Sequence, residues 1–369
     1  MGHKEKVQEI LALAGITING NKPYDVQVHN EKFYARALAQ GSLGVGESYM
    51  DGWWDVEHLD VFFTRLFKAD LQNKIKSFSM LKNFVSAKVL NMQSRSRAKK
   101  VAKEHYDLGN EFYQAMLDRN MQYTCGYWKH ARNLDRAQSD KLSLSCKKLQ
   151  LQKGDRVLEL GCGWGGFARY AAQKCGAHVT GYNISKEQVA FAKEWTKGLP
   201  VDIRLADYRD ATGTFDAVAA IGMCEHVGYK NYRSFMQLAH DRLKEQGLFL
   251  LHTIGGNVSV KTTDPWIEKY IFPHSMLPSM AQLTKAAEGL FVVEDWHNFG
   301  PDYDKTLMAW DANFRKHWLR FRDEYGERFY RMWRFYLMSS AGQFRARRIQ
   351  LWQAVLSKGG LPGGYVPVR

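Results

Sequence analysis

Apolar positions in this chain recur with two different periods, and the change between them divides it. Near the N-terminus, Val7, Ile10, Leu11 and Ala14 fall at helical spacing. Ile16-Thr17-Ile18 and Val26-Gln27-Val28 alternate like short strands, with a turn signal at Asn19-Gly20 between them. Gly41, Gly44 and Gly46, ahead of Glu47 to Trp54, read as turn chemistry: no strongly apolar strand precedes them and no Gly-Lys-Ser/Thr follows. From about residue 71 to 100, Ile75, Phe78, Leu81, Val85, Val89 and Met92 share one helical face, ringed by Lys74, Lys76, Lys82 and Lys88. A basic run, Arg95, Arg97, Lys99 and Lys100, follows. Such a helix suits an anionic membrane surface or a plain linker packed on its neighbour.

Beyond residue 150 the rhythm becomes strand, helix, strand. Arg156–Leu160, His178–Asn183, Asp202–Leu205, Phe215–Ile221 and Leu248–His252 are apolar runs of strand length, the first pairs separated by helix-length segments. That alternation predicts an α/β fold with a mostly parallel sheet covered on both faces.

Composition narrows the picture further. A chain of 369 residues, 45% hydrophobic and 13% aromatic, supports a large core and a second, smaller domain. Its net charge of +14 favours a polyanion, either nucleic acid or an anionic membrane. Cys125, Cys146, Cys162, Cys175 and Cys224 form no C-x-x-C pair, which argues against a disulfide framework or a zinc site and fits a reducing cytoplasm. The first fifteen residues carry charges inside an amphipathic helix, unlike a signal peptide. No uncharged apolar run approaches the roughly 18 residues that cross a bilayer, so any membrane is met from its surface.

The first strand runs into Glu159-Leu-Gly161-Cys-Gly163-Trp-Gly-Gly166, and a helix follows. Strand before and helix after make this glycine cluster a cofactor loop. A dinucleotide enzyme would show G-x-G-x-x-G; E-x-G-x-G-x-G-G instead resembles the first motif of class I methyltransferases, whose cofactor offers an ammonium to a nearby carboxylate. Asp207-Tyr208 follows the third strand, where such enzymes hold adenine, and Leu243-Lys-Glu-Gln-Gly247 resembles a turn ahead of the fifth strand. The second strand ends without the usual ribose-binding carboxylate, so Asn183 and Gln188 are expected to contribute there.

The chain as a whole resembles the cyclopropane-fatty-acyl-phospholipid synthases and, more distantly, the mycolic acid cyclopropane synthases. The resemblance is carried by Gly41–Trp54, Glu104–Asn110, Met121–Trp128, Gly161–Gly166, Met223–Gly228, Leu250–Gly255, Asp264–Pro273, Glu294–Asn298 and Asp302–Trp310. It implies a class I S-adenosylmethionine-dependent methyltransferase with a Rossmann-like seven-stranded sheet and a small N-terminal α+β domain. The implied division is an accessory domain at 1–83, a basic linker helix at 84–103 and a catalytic domain at 104–369. It implies S-adenosylmethionine as co-substrate, with Tyr123, Thr124, Glu159, Gly161, Gly163, Asn183, Gln188, Asp207 and Tyr208 binding it. It also implies a bicarbonate ion acting as base, held by Cys125, Glu225, His252, Ile254 (through its backbone) and Tyr303, and no metal.

The implied partners are unsaturated membrane phospholipid and a second copy of the chain rather than nucleic acid, at the inner face of the plasma membrane. Tyr127, Trp128, Tyr270, Phe272 and Trp310 are candidate aromatic walls that exclude water and face positive charge. Segment 253–290 is an insertion that either walls an acyl channel or forms a lid. Phe344-Arg-Ala-Arg-Arg-Ile349 either touches headgroups or decorates a surface.

Overall fold

The computed structural model describes residues 2–70 and 108–369. The expected helix around Ile75 to Met92, its basic tail and the domain boundaries near 83 and 103 lie outside the described residues. The described chain forms two compact units, and each gathers stretches distant in sequence.

One unit combines residues 2–70 with Lys261–Pro273 and Tyr303–Ile349. Its helices include His3–Ala12, Lys32–Gln40, Ser42–Met50, Leu59–Lys68, Pro265–Tyr270 and Arg322–Arg345. Strands β1 (Gln27–Val28) and β2 (Trp54–Asp55) pair antiparallel. The expected hairpin of Ile16–Ile18 with Val26–Val28 is not formed. Only a single Ile18–Val26 bridge links them, because the Asp25 carboxylate takes the Thr17 and Lys22 amides at 2.8 and 3.0 Å and rounds the loop.

The glycines after Gln40 also differ from expectation. Gly41, at φ +57°, is a true turn, but Gly44 and Gly46 lie inside the Ser42–Met50 helix. They are there for closeness: a Cβ on Gly44 would overlap the Arg36 carbonyl, and one on Gly46 would overlap the Trp266 indole. Trp54, Trp266 and Trp310 are fully buried in this unit, and rings of Tyr49, Trp54, Phe62, Phe63, Trp266 and Phe335 pack at 4.5–5.7 Å around its centre. Two arginines of the basic run at its end are spent on internal ion pairs. Arg345 holds Asp304 at 2.8 Å and Asp60 at 2.5 Å, and Arg348 holds Asp70 at 2.5 Å.

The other unit contains residues 108–260, His274–Asp302 and Gln350–Arg369. Its sheet has seven strands: β3 (Arg156–Leu160), β4 (His178–Asn183), β5 (Val201–Leu205), β6 (Phe215–Ile221), β7 (Leu243–Gly256), β8 (Val292–Asn298) and β9 (Ile349–Ser357). The spatial order is β5, β4, β3, β6, β7, β9, β8. Strands β3 to β7 pair in parallel, while β8 and β9 are antiparallel.

Side chains alternate between the two faces. Leu158 and Leu160 join one core with Val218, Phe249 and Phe235, and Val157 joins another with Phe167, Val179 and Leu250. Both faces are covered, as the unbroken apolar runs require. Leu243–Gly247 is not a turn before a strand but the irregular start of β7, with Gln246 at φ +62° and a register shift opposite Phe215–Ala217. Among the described residues no helix is long and apolar enough to cross a membrane.

Candidate active site

Parallel strands deliver their loops to one edge, the carboxyl end, and most of the expected site residues emerge there. The β3 loop turns at Gly161 and Gly163, at φ +80° and +53°, angles that other residues adopt only at a cost. A Cβ on Gly163 would meet nothing within 4 Å, so the backbone there is open to a ligand. Asn183, at the tip of β4, donates through Nδ2 to the Gly163 carbonyl and to Gln188 Oε1, both at 2.9 Å. Thus Gly163, Asn183 and Gln188 converge. Asp207 caps the short helix Tyr208–Asp210, and Arg209 grips its carboxylate at 2.8 and 2.6 Å; Tyr208 is buried against Phe235.

Glu159, on β3, is buried, and its Oε2 meets no hydrogen-bond partner. Burial raises its pKa to about 8, against the opposing pull of Lys141 and the Ala168 amide. A buried carboxylate with an unused oxygen beside an open glycine turn suits a ligand that brings its own ammonium.

Thr124 and Cys125 lie on an extended segment clamped by the helix Leu134–Lys148. Gln138 Nε2 donates to the Thr124 carbonyl at 2.7 Å, and Lys141 Nζ donates to Thr124 Oγ1 at 2.9 Å and to Gln122 Oε1. A Cβ on Gly166 would overlap the Asn120 carbonyl and Gln122 Nε2, so this segment also presses on the cofactor-loop helix. Tyr123 packs edge-on against Tyr113. Cys125 is fully buried, with Sγ 3.2 Å from the Gly126 carbonyl.

Glu225 and His252 follow from neighbouring strands. Ile221 pairs with His252, and the Gly222 amide donates to the His252 carbonyl at 2.9 Å. Glu225 Oε1 accepts the Ile254 amide at 2.7 Å, while Oε2 is buried without a partner. Burial lifts the Glu225 pKa to about 7, opposed by the Ile254 and Glu225 amides and by Thr253. The His252 imidazole is held far below its usual pKa by burial, then by the Lys141 and Lys148 charges, so the ring is neutral. Its Nε2, like Glu159 Oε2 and Glu225 Oε2, is buried without a hydrogen-bond partner among the described residues.

An aromatic wall continues from the ring. Phe299 stands edge-on to His252 at 5.9 Å, and Tyr127 stands edge-on to Phe299 and His297 at 5.3 and 5.7 Å. Trp128 is fixed through its amide, which donates to Asp302 at 2.8 Å. Tyr303 belongs to the first unit, stacked on Phe344 at 4.5 Å and edge-on to Trp310. Of the other expected wall residues, Tyr270 donates to Glu47 at 2.8 Å and Phe272 packs edge-on to Tyr336, both within the first unit.

Sequence reasoning missed the Leu134–Lys148 helix entirely. Gln138, Lys141, Ser145 and Lys148 are all fully buried, and their spacing of three, four and three puts them on one face. That polar stripe is the signal. It lies beside apolar positions that are buried as well, Leu134, Ala137, Leu142 and Cys146, so a search for apolar periodicity sees only part of the buried face.

Comparisons with known proteins show the family and the fold. Residues 93–354 match the family model described as mycolic acid cyclopropane synthetase. The chain is 51% identical over 352 residues to the cyclopropane-fatty-acyl-phospholipid synthase of Escherichia coli (strain K12), covering 95% of this chain and 92% of that protein. The cyclopropane synthase MmaA2 from Mycobacterium tuberculosis superimposes with a TM-score of 0.67 at 27% identity, over 70% of this chain and 98% of that one. The mycolic acid cyclopropane synthase CmaA1, complexed with SAH and CTAB, gives a TM-score of 0.66 at 29% identity, over the same shares.

Proposed function

We propose a reaction from one premise: the chain belongs to the mycolic acid cyclopropane synthetase family and is an S-adenosylmethionine-dependent methyltransferase with the class I fold. Its substrate is the cis double bond of an unsaturated phospholipid acyl chain, and its product is a cyclopropane ring. The observation that carries this reading is the pair of buried, unpartnered atoms Glu225 Oε2 and His252 Nε2, an acceptor and an imidazole nitrogen at one sheet edge. Buried polar atoms without partners are rare and mark places where a ligand completes the set.

Glu159, Gly161 and Gly163, with Tyr123, Thr124, Asn183, Gln188, Asp207 and Tyr208, hold S-adenosylmethionine in this reading. Cys125, Glu225, His252 and the Ile254 backbone surround a small anion, with Tyr303 as the fifth residue the resemblance assigns. Bicarbonate in that place supplies a base of modest strength whose hydroxyl suits a carboxylate acceptor.

An isolated alkene is a weak nucleophile, so the sulfonium methyl must be presented at close range and in line. Methyl transfer breaks the carbon–sulfur bond and leaves positive charge on the second alkene carbon. Proton loss from the new methyl then closes the ring. Water would trap the cation as an alcohol, and Tyr127, Phe299 and the buried His252 keep that edge dry. Their ring faces also tolerate positive charge. The enzyme works as a homodimer bound peripherally to the inner face of the plasma membrane, where its cationic surface meets anionic lipid.

The test is lipid mass spectrometry after incubation with vesicles of unsaturated phospholipid and S-adenosylmethionine. Ring closure adds one methylene and removes the double bond's reactivity, and turnover falls when bicarbonate is stripped from the buffer. A methyl-branched product that keeps its unsaturation, or a methylated headgroup, overturns the reading.

A further inference from the structure

The way His252 is held determines which of its nitrogens carries the proton. Gln353, on β9, is fully buried, and its Nε2 lies 3.2 Å from His252 Nδ1 and 3.2 Å from Ser145 Oγ. Taken alone, an amide beside an imidazole is ambiguous, since either end of the amide could face the ring. Ser145 removes the ambiguity. Its Oγ sits 2.8 Å from the Lys141 carbonyl, one helical turn back, a separation at which two oxygens need a proton between them. The hydroxyl proton is therefore committed to Lys141, and Ser145 can only accept from the amide.

Gln353 thus presents its NH₂ to both neighbours. An Oε1 placed there would face the Ser145 lone pairs. Because Gln353 donates to Nδ1, that nitrogen is bare, and the neutral ring carries its proton on Nε2. The charged groups felt by the ring, Lys141 and Lys148, oppose a second proton.

We propose that Gln353, anchored by Ser145, is a positioning residue that locks His252 in the neutral Nε2–H tautomer, so the imidazole offers a donor to an anion seated at the Glu225–Ile254 edge. The inference rests on reading His252 as a ligand of that anion. The hydroxyl of Ser145 and the amide of Gln353 touch neither lipid nor cofactor in this scheme. Their effect passes through one ring.

The experiment is ¹⁵N-histidine NMR on the full-length protein, with the His252 signals assigned by their loss in His252→Asn. The wild type shows a bare Nδ1 and a protonated Nε2. Gln353→Glu replaces the donor by a carboxylate, which draws the proton to Nδ1; the tautomer reverses and the ring's pKa rises. Turnover then falls by about 10²–10⁴-fold, the scale seen when a catalytic histidine is held in the wrong tautomer, while KM and cofactor affinity stay within about twofold. Ser145→Ala frees the amide to rotate and gives a mixed tautomer with a smaller loss, and Ser145→Thr, which keeps the hydroxyl, restores the wild-type pattern. That second pair carries the test if Gln353→Glu does not fold. A protonated Nδ1 in the wild type, or an unchanged tautomer in Gln353→Glu or in Ser145→Ala, overturns the proposal. Failure of the wild type to use bicarbonate or to close a ring would sink the proposed reaction instead, leaving the NMR result standing.

Discussion

Glu47 and Glu225 are both buried carboxylates, one in each unit, and the two are treated in opposite ways. Glu47 receives Lys269 at 2.6 Å, Tyr270 at 2.8 Å and Arg36. Burial alone would push its pKa up, but these three donors outweigh it and hold the carboxyl at about 2. Glu225 accepts the Ile254 amide on Oε1 and keeps Oε2 without a partner among the described residues; that amide, its own and Thr253 do not offset burial, which lifts it to about 7. A carboxylate that fastens structure is given its donors in advance; one left short of them is, on the proposed reading, the one that receives a ligand. Polar satisfaction, rather than burial or residue type, separates the two roles.

Removing the charge at each position breaks the comparison in different currencies. Glu225→Gln lowers turnover by at least about 10³-fold while cofactor affinity, read by calorimetry, is unchanged, since the anion edge fails and the glycine loop does not. The same variant is more stable than wild type above pH 7. With a folded pKa near 7 against 4.5 in the unfolded chain, Glu225 binds its proton more tightly when folded. Its contribution is complete below pH 4.5 and is lost as pH rises through 7, about 3 kcal/mol in all. Thermal melts at pH 5 and pH 8 show whether the stabilisation by Gln appears only at the higher pH; an equal effect at both refutes the assignment.

Glu47→Ala has the second largest effect, and on stability: a loss of about 2 kcal/mol, discounted because Lys269 is half exposed. Here the sign is reversed, since a pKa depressed to about 2 contributes stability above pH 4.5 that disappears as pH falls through 2. Urea titrations at pH 7 and pH 3 should converge for variant and wild type at the acidic end.

Asp295 sharpens the contrast as an intermediate case. Arg369 grips it with two contacts of 2.6 Å, and the buried Lys148 adds a third at 3.3 Å. Arg369→Ala leaves it one partner and costs under about 1 kcal/mol by the same melts, because the arginine is itself partly exposed.

Much of the second unit was legible from its apolar runs. Arg156–Leu160, His178–Asn183 and Phe215–Ile221 are strands at the expected bounds, because a strand buried on both faces has no polar register to hide it. The want of a ribose-binding acid on β4 pointed to Asn183 and Gln188, and Asn183 Nδ2 donates both to the Gly163 carbonyl and to Gln188 Oε1. Elsewhere the rules that were applied are local, while the causes are not. Gly44 and Gly46 looked like turn formers because nothing nearby announces that Arg36 and Trp266 will press against them. Ser145 and Lys148 drew no reading at all, since a polar stripe facing inward is invisible until its partners, Gln353 and Asp295, arrive from far along the chain.

The interleaving of the two units has a further consequence. The polypeptide passes between them at 260, 273, 302 and 349, besides the passage that lies between residues 70 and 108. No single scission separates one from the other. A protease nicking the exposed Val258–Lys261 stretch would leave both halves of each unit still needed to complete the other, and a gene fragment beginning at residue 108 would carry the Pro265–Tyr270 and Arg322–Arg345 helices without the N-terminal helices they pack on. Reassembly from split halves, rather than excision of a domain, is the form of dissection this architecture permits.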